Sequence, residues 1–255
     1  MSHSLIKYFS LLIISSFCFL FSTAQNSFIQ SQKSSFRVSN AFSNKESLLQ
    51  KQFAEKNIEW PAKYIYIRSF KFDSQLEVWV KNSLKDKYQL FKTYRVCMQS
   101  GTMGPKRLQG DFQIPEGFYY INEFNPRSAY HLSLGLNYPN SSDRILSDSL
   151  RPGNGIYIHG SCVSIGCVSV NDSDVEELYI LSAYARAGGQ EYIPVHIFPI
   201  KYSSKRSAEY LDGIIKLNPG LENFFLQLKT SYDYFEKNKQ VPLVLVDQKG
   251  NYVFN

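Results

Sequence analysis

Cysteine is scarce in this chain, with four residues against 18 tyrosines and 19 phenylalanines, so a disulfide-dense miniature scaffold is excluded. Charge of one sign is also sparse. Lys and Arg together number 28 against 22 Asp and Glu, and the net +6 is dispersed without any long basic run. That distribution does not describe a nucleic-acid groove, and no nucleic-acid partner is expected. No internal repeat recurs along the chain, which excludes a solenoid. No apolar run, the one near the N-terminus included, reaches the ~20 residues needed to span a bilayer comfortably. What is present, 44% hydrophobic and 20% charged residues, is ordinary globular composition with ample aromatic material for a core and a cleft.

The N-terminus carries Lys7, an apolar run from Tyr8 to Phe21, and then the small residues Ser22, Thr23 and Ala24. A positive start, a short apolar core and a small-residue exit predict a secretory signal over residues 1–24, with the mature protein in the periplasm or cell envelope. An uncleaved anchor is the alternative reading; lipidation at Cys18 is disfavoured by the bulky Phe17 before it. Loss of the leader leaves Cys97, Cys162 and Cys167. An odd count in an exported chain leaves at least one thiol free or paired between molecules.

Residues 25–42 are rich in Ser, Asn and Gln and read as a polar tether. Ser43 and Glu46 form a capping-box pattern, so a helix is expected from there to about Asn57, opening a domain over residues 43–200. Period-two alternation predicts a three-stranded meander from Tyr64 to Met98. Further strands are expected at Phe118–Ile121, Tyr130–Leu134 and Ile156–Ile158. A helix should follow Ser173 and stop at Gly188-Gly189. The strand Tyr192–Phe198 is expected near an edge because of Pro194. Residues 201–255 read as a helical extension closed by a hairpin. The fold class is therefore mainly β with short helices, plus an α-rich C-terminal extension.

The segment Ile156-Tyr157-Ile158-His159-Gly160-Ser161-Cys162-Val163-Ser164-Ile165-Gly166-Cys167 carries the chemistry. A strand ends in a histidine, a small-residue loop lets backbone approach a substrate, and a cysteine precedes a helix. A thiol within reach of an imidazole, near backbone N–H groups, is the arrangement of covalent acyl transfer. His159-Gly160 followed by Ser164-Ile165-Gly166-Cys167 resembles the hallmark of the L,D-transpeptidase catalytic family (YkuD type). The compact loop, with Gly104-Pro105-Lys106, the run Gly110–Tyr119 and Tyr130–Leu134, is similar to its YafK-like murein branch over Trp60–Ile200.

The resemblance implies a curved β-sheet and a Cys167 acyl-enzyme on peptidoglycan stem peptides, with no metal and no cofactor. It makes His159 the base, or the cationic partner of a thiolate, and the Gly160 carbonyl the group that orients the ring. Gly166 and Cys167 N–H groups become the oxyanion donors, with Ser164 shaping the loop. His131, Tyr157 and Arg151 are candidate substrate contacts, with Arg127 and Lys106 as further cations. Many relatives carry an arginine two residues after the cysteine, where this chain has Ser169. The short loop belongs to a branch associated with hydrolysis that releases wall-linked protein, so hydrolase is the alternative to transferase, and a silent wall-binding protein is a third reading. Cys162 is left with three fates: pairing with Cys97, oxidation against Cys167, or an inert loop position. Zinc binding by His159, Cys162 and Cys167 lacks the usual paired spacing.

Overall fold

The computed structural model describes residues 27–254, so the expected leader lies outside the described residues. Strands β1 (Tyr64–Phe70), β2 (Gln75–Lys81) and β3 (Gln89–Arg95) form the expected antiparallel meander. They join β4 (Gly117–Asn125), β5 (Ser133–Leu136), β6 (Tyr157–His159), β7 (Val168–Ser169) and β8 (Ile193–Phe198) in one sheet, ordered β3-β2-β1-β8-β4-β5-β6-β7. Two neighbouring pairs are parallel, β1 with β8 and β6 with β7.

One face of the sheet packs beneath α1 (Phe36–Glu55) and, after the short α2 (Ser141–Leu146), α3 (Asp172–Ala187). Ile65, Ile67, Ile121, Leu134, Ile158, Val168 and Val195 form that core with Leu49, Phe53, Leu178 and Leu181. The stretch expected as a tether is helical over residues 27–33, and α1 begins seven residues before Ser43. Its polar composition misled because tertiary contacts satisfy it. Val38, Ala41, Phe42, Leu49 and Phe53 are buried, and the Arg37 guanidinium donates to the carbonyls of Ser128 and His131, each at 2.5 Å. Packing of an apolar stripe, rather than local propensity, holds such a helix. The helix α3 is capped by Asn171, whose side chain accepts from Asp174 N, two residues before the expected Ser173.

The opposite face of β1, β2, β4 and β8 is covered by the C-terminal segment: α4 (Lys205–Leu217), α5 (Glu222–Asn238) and the antiparallel hairpin of β9 (Val244–Val246) and β10 (Tyr252–Phe254). Phe70, Phe118 and Phe198 pack there with Leu228, Tyr232 and Tyr252, and Tyr66 and Trp79 pack with Phe235. Both parities of β1 and β2 are thus buried, and the extension is the second wall of the fold. Arg68 lies within this layer and bonds both Glu77 and Glu236 at 2.7 Å, so the buried cation is fully paired.

Strand β8 is central, contrary to the edge position expected from Pro194. The missing N–H is harmless there. Pro194 stands opposite Tyr120, whose own N–H and C=O are taken by Asn137, and the β1–β8 register begins only at Val195. The apolar clusters under the extension include no residue of β5, β6 or β7. That end of the sheet is where the candidate site lies.

Candidate active site

Strands β6 and β7 run parallel in the register Ile158↔Val168 and His159↔Ser169. Ile158 and Val168 both enter the core beneath α3. Because side chains alternate along a strand, Tyr157 and His159 therefore share the opposite face with Ser169, and with Cys167 just before β7. Strand register, not sequence proximity, puts the imidazole and the thiol on one surface.

The loop joining the two strands is pinned at successive points. Gly160 N donates to the carbonyls of Tyr130 (3.1 Å) and Leu132 (3.3 Å), and Ser161 N donates to Asp172 Oδ1 at 2.7 Å. A Cβ at Gly160 would stand 2.4 Å from that same carboxylate oxygen, so the close approach requires glycine. Cys162 is disulfide-bonded to Cys97 with a Cα–Cα distance of 5.4 Å, which ties the loop to the segment after β3. This resolves the three fates of Cys162, removes it as a thiolate ligand for zinc, and leaves Cys167 as the free cysteine among the described residues. Gly166 has φ +126°, a conformation open to glycine, and lies against the Gln113 carbonyl.

His159 is only 2% exposed. Its Nδ1 lies 2.7 Å from the Gly160 carbonyl, and a carbonyl can only accept, so Nδ1 carries the proton and Nε2 is the free nitrogen of the neutral ring. The Tyr130 ring stacks on the imidazole at a centroid distance of 4.7 Å. Burial pushes the His159 pKa down, more strongly than the Gly160 carbonyl raises it. Burial likewise pushes the Cys167 thiol up, against smaller opposing effects of a backbone hydrogen bond at Tyr157 and the charge of Lys106. Both shifts favour a neutral thiol and a neutral imidazole over a thiolate–imidazolium pair.

The Cys167 thiol donates to the Gly155 carbonyl at 3.7 Å. Ser164 braces the other side. Its hydroxyl donates to the Cys167 carbonyl (2.6 Å) and accepts from Gly166 N (3.2 Å) and Cys167 N (3.0 Å). The two N–H groups expected to face an oxyanion are thus engaged by Ser164 in this conformation.

The expected substrate contacts divide. The Tyr157 hydroxyl donates to Glu123 Oε2 at 3.0 Å, beside Cys167. His131, expected on a strand, instead has φ +66° just before β5, and its Nε2 lies 2.9 Å from Glu176 Oε1 on α3. It braces α3, and Tyr130 is the neighbour that meets His159. Arg151 is exposed; its backbone N–H goes to Asp148 Oδ1 and its carbonyl accepts from Gln109 N. Arg127 is exposed at the end of β4. Lys106 is buried, paired with Asp111 and bonded to the Leu108 carbonyl, and is the cation whose charge is felt at Cys167. Ser169 is fully buried with its hydroxyl on the Met98 carbonyl, which explains why no arginine stands there. Tyr130, Asp172 and Glu123 escaped the sequence reading. Tyr130 had a signal, since it precedes a motif histidine, whereas Asp172 and Glu123 act through tertiary contacts alone.

The family model for the L,D-transpeptidase catalytic domain, YkuD, matches residues 73–197. The chain is 35% identical over 191 residues to the Escherichia coli (strain K12) protein YafK, provisionally assigned as an L,D-transpeptidase, covering 74% of this chain and 73% of that protein. The same values hold for YafK of Escherichia coli O157:H7. Among solved structures, a point variant of the helical cell shape determining protein Pgp2 from Campylobacter jejuni has a TM-score of 0.42 at 17% identity, covering 73% of each chain. Bdellovibrio bacteriovorus Bd1075 has a TM-score of 0.39 at 19% identity, covering 73% of this chain and 78% of that one. The sequence match over most of both chains places this protein in the L,D-transpeptidase catalytic-domain family, which acts on peptidoglycan.

Proposed function

We propose that the protein is an exported enzyme that transfers acyl groups on peptidoglycan stem peptides through a Cys167 thioester. The observation that carries this reading is the hydrogen bond from His159 Nδ1 to the Gly160 carbonyl, which leaves Nε2 as a base on the face that holds Cys167. As Sγ attacks the carbonyl carbon of a stem amide, Nε2 takes the thiol proton. Collapse of the tetrahedral intermediate breaks the C–N bond, and the imidazolium returns that proton to the departing amine. An acceptor amine then attacks the thioester and frees the thiol. Water in place of the amine gives the hydrolytic reading, which the short 160–167 loop favours and which would also admit wall-linked protein as a partner.

Two details support acylation starting from neutral partners. The thiol is raised and the imidazole lowered by burial, which favours proton transfer in step with C–S bond formation over a thiolate formed beforehand. Developing negative charge on the substrate oxygen needs donors, and a small turn of Ser164 would release the Gly166 and Cys167 N–H groups for it.

The test is product analysis of purified disaccharide tetrapeptide with and without an added D-amino acid. Release of the terminal residue or its exchange, abolished by Cys167→Ala in a folded protein, supports the enzyme. Exchange against simple release separates transfer from hydrolysis. A wild type that binds wall fragments but alters none of them would favour a silent binding protein.

A further inference from the structure

Glu123, Gly135 and Tyr157 lie side by side across β4, β5 and β6, in the registers Glu123↔Gly135 and Gly135↔Tyr157. The row ends at Cys167, just before β7. Gly135 forms its floor: a Cβ there would stand 2.9 Å from Glu123 Cβ and 3.1 Å from the Tyr157 ring. Its lack of a side chain lets the phenol and the carboxylate meet directly above it, at 3.0 Å through Glu123 Oε2.

The other carboxylates around this end of the sheet are occupied. Asp111 pairs with Lys106, Asp172 accepts from Ser161 N, and Glu176 faces His131. Among the described residues Glu123 makes no ion pair, and it is exposed. It also lines a groove of about 460 Å³ with Tyr120, Phe124, Arg186, Glu191 and Tyr192. Arg186 is the cation in that groove, but one of its guanidinium nitrogens is bonded to the Glu191 carbonyl. The groove therefore presents aromatic walls and two carboxylates, of which Glu123, on β4, stands nearer the Cys167 end of the sheet and has one oxygen held by a phenol. Burial and the neighbouring Glu123 both raise the Tyr157 pKa, so the phenol stays a proton donor and holds that oxygen in place.

We propose that Glu123, positioned by Tyr157, is a specificity-determining residue that binds the free ammonium group of the stem peptide's diamino residue while that residue's carbonyl is presented to Cys167. The reading rests on the proposed acyl transfer. Adjacent strands are about 4.8 Å apart, so Glu123 stands roughly 14 Å from the nucleophile's strand, a gap that its own side chain and Tyr157 shorten. A cationic centre at the end of a short methylene chain spans what remains, with the methylenes passing over the Tyr157 ring that lies between the two. A charge-assisted contact at this exposed carboxylate should favour the free amine roughly two- to fivefold at low salt.

The experiment compares kcat/KM for a disaccharide tetrapeptide carrying the free diamino group with the same compound acetylated on that amine. The N-terminus of the stem is already acylated, so the diamino residue carries the one amine. The wild type should prefer the free amine, with the preference shrinking as salt rises. Glu123→Gln should bring the ratio of the two substrates close to one, mainly through KM. Tyr157→Phe should lower the ratio part of the way. A wild type that turns over both substrates equally, or a Glu123→Gln variant that keeps the full preference, overturns the assignment alone. A wild type inert on both substrates overturns the acyl-transfer reading beneath it as well.

Discussion

His159 and Gly160 are joined by a hydrogen bond between ring and backbone of adjacent residues, with Nδ1 2.7 Å from the Gly160 carbonyl. The contact needs no third side chain to fix the tautomer. It also makes the glycine do two things at once, because the same residue must tolerate Asp172 where a Cβ would stand.

Gly160→Ala should therefore disturb both stability and chemistry. The added methyl meets Asp172 Oδ1 at 2.4 Å, and overpacking of this kind destabilises by about 1–3 kcal/mol. Thermal denaturation should show the loss, and activity should fall further than stability accounts for, since the carbonyl that orients His159 moves with the backbone. A variant with unchanged melting temperature and activity would contradict the packing described for this turn.

The pH profile follows from His159. Its pKa is lowered by burial, so the neutral ring persists below the ordinary histidine value of 6.5. Activity should hold through neutrality and be lost only as pH falls beneath that ordinary value. The linkage has the same sign: the unfolded chain takes up the proton more readily, so stability is full above the unfolded value and declines as pH falls through it. An acid limb of kcat/KM at or above the ordinary value would contradict the buried neutral base.

Removing the Cys97–Cys162 bond releases a loop closed over a sequence separation of 65, for which chain-entropy reasoning gives about 4 kcal/mol. A double Cys97→Ala, Cys162→Ala variant should unfold at markedly lower denaturant concentration. Its 160–167 loop should also lose order, read as faster alkylation of Cys167. Equal stability would show that the bond is not formed in solution.

The extension is tested at Phe235, fully buried against Tyr66, Trp79 and Tyr88. Phe235→Ala should destabilise the whole protein by about 3–5 kcal/mol in a single cooperative transition. Two separate transitions would show that residues 201–254 fold apart from the sheet.

Much of this was legible in the sequence, for identifiable reasons. The meander, α3 and the closing hairpin announce themselves through their periodicity, as in Leu76, Val78 and Val80 of β2, which form one core-facing row; that Glu77 and Trp79 between them are buried as well, beneath the extension, was not legible. The His159–Cys167 loop is legible because its chemistry is written locally. The first turns of α1, before Ser43, were not, since Arg37 reaches a partner far along the chain in Ser128. Pro194 misled for the same reason: whether a strand can lack an N–H depends on Tyr120 and Asn137, which sequence order does not place beside it. His131 drew attention as a titratable residue, yet its left-handed backbone turns it to Glu176 and leaves Tyr130 against His159.

The most direct measurement is the intact mass of the protein after brief incubation with a stem tetrapeptide and acid quenching, followed by peptide mapping. A single added acyl group on Cys167, absent from Cys167→Ala and strongly reduced in His159→Ala, is the expected result. Product formation by wild type and Cys167→Ala alike, with no covalent species on that sulfur, would contradict it.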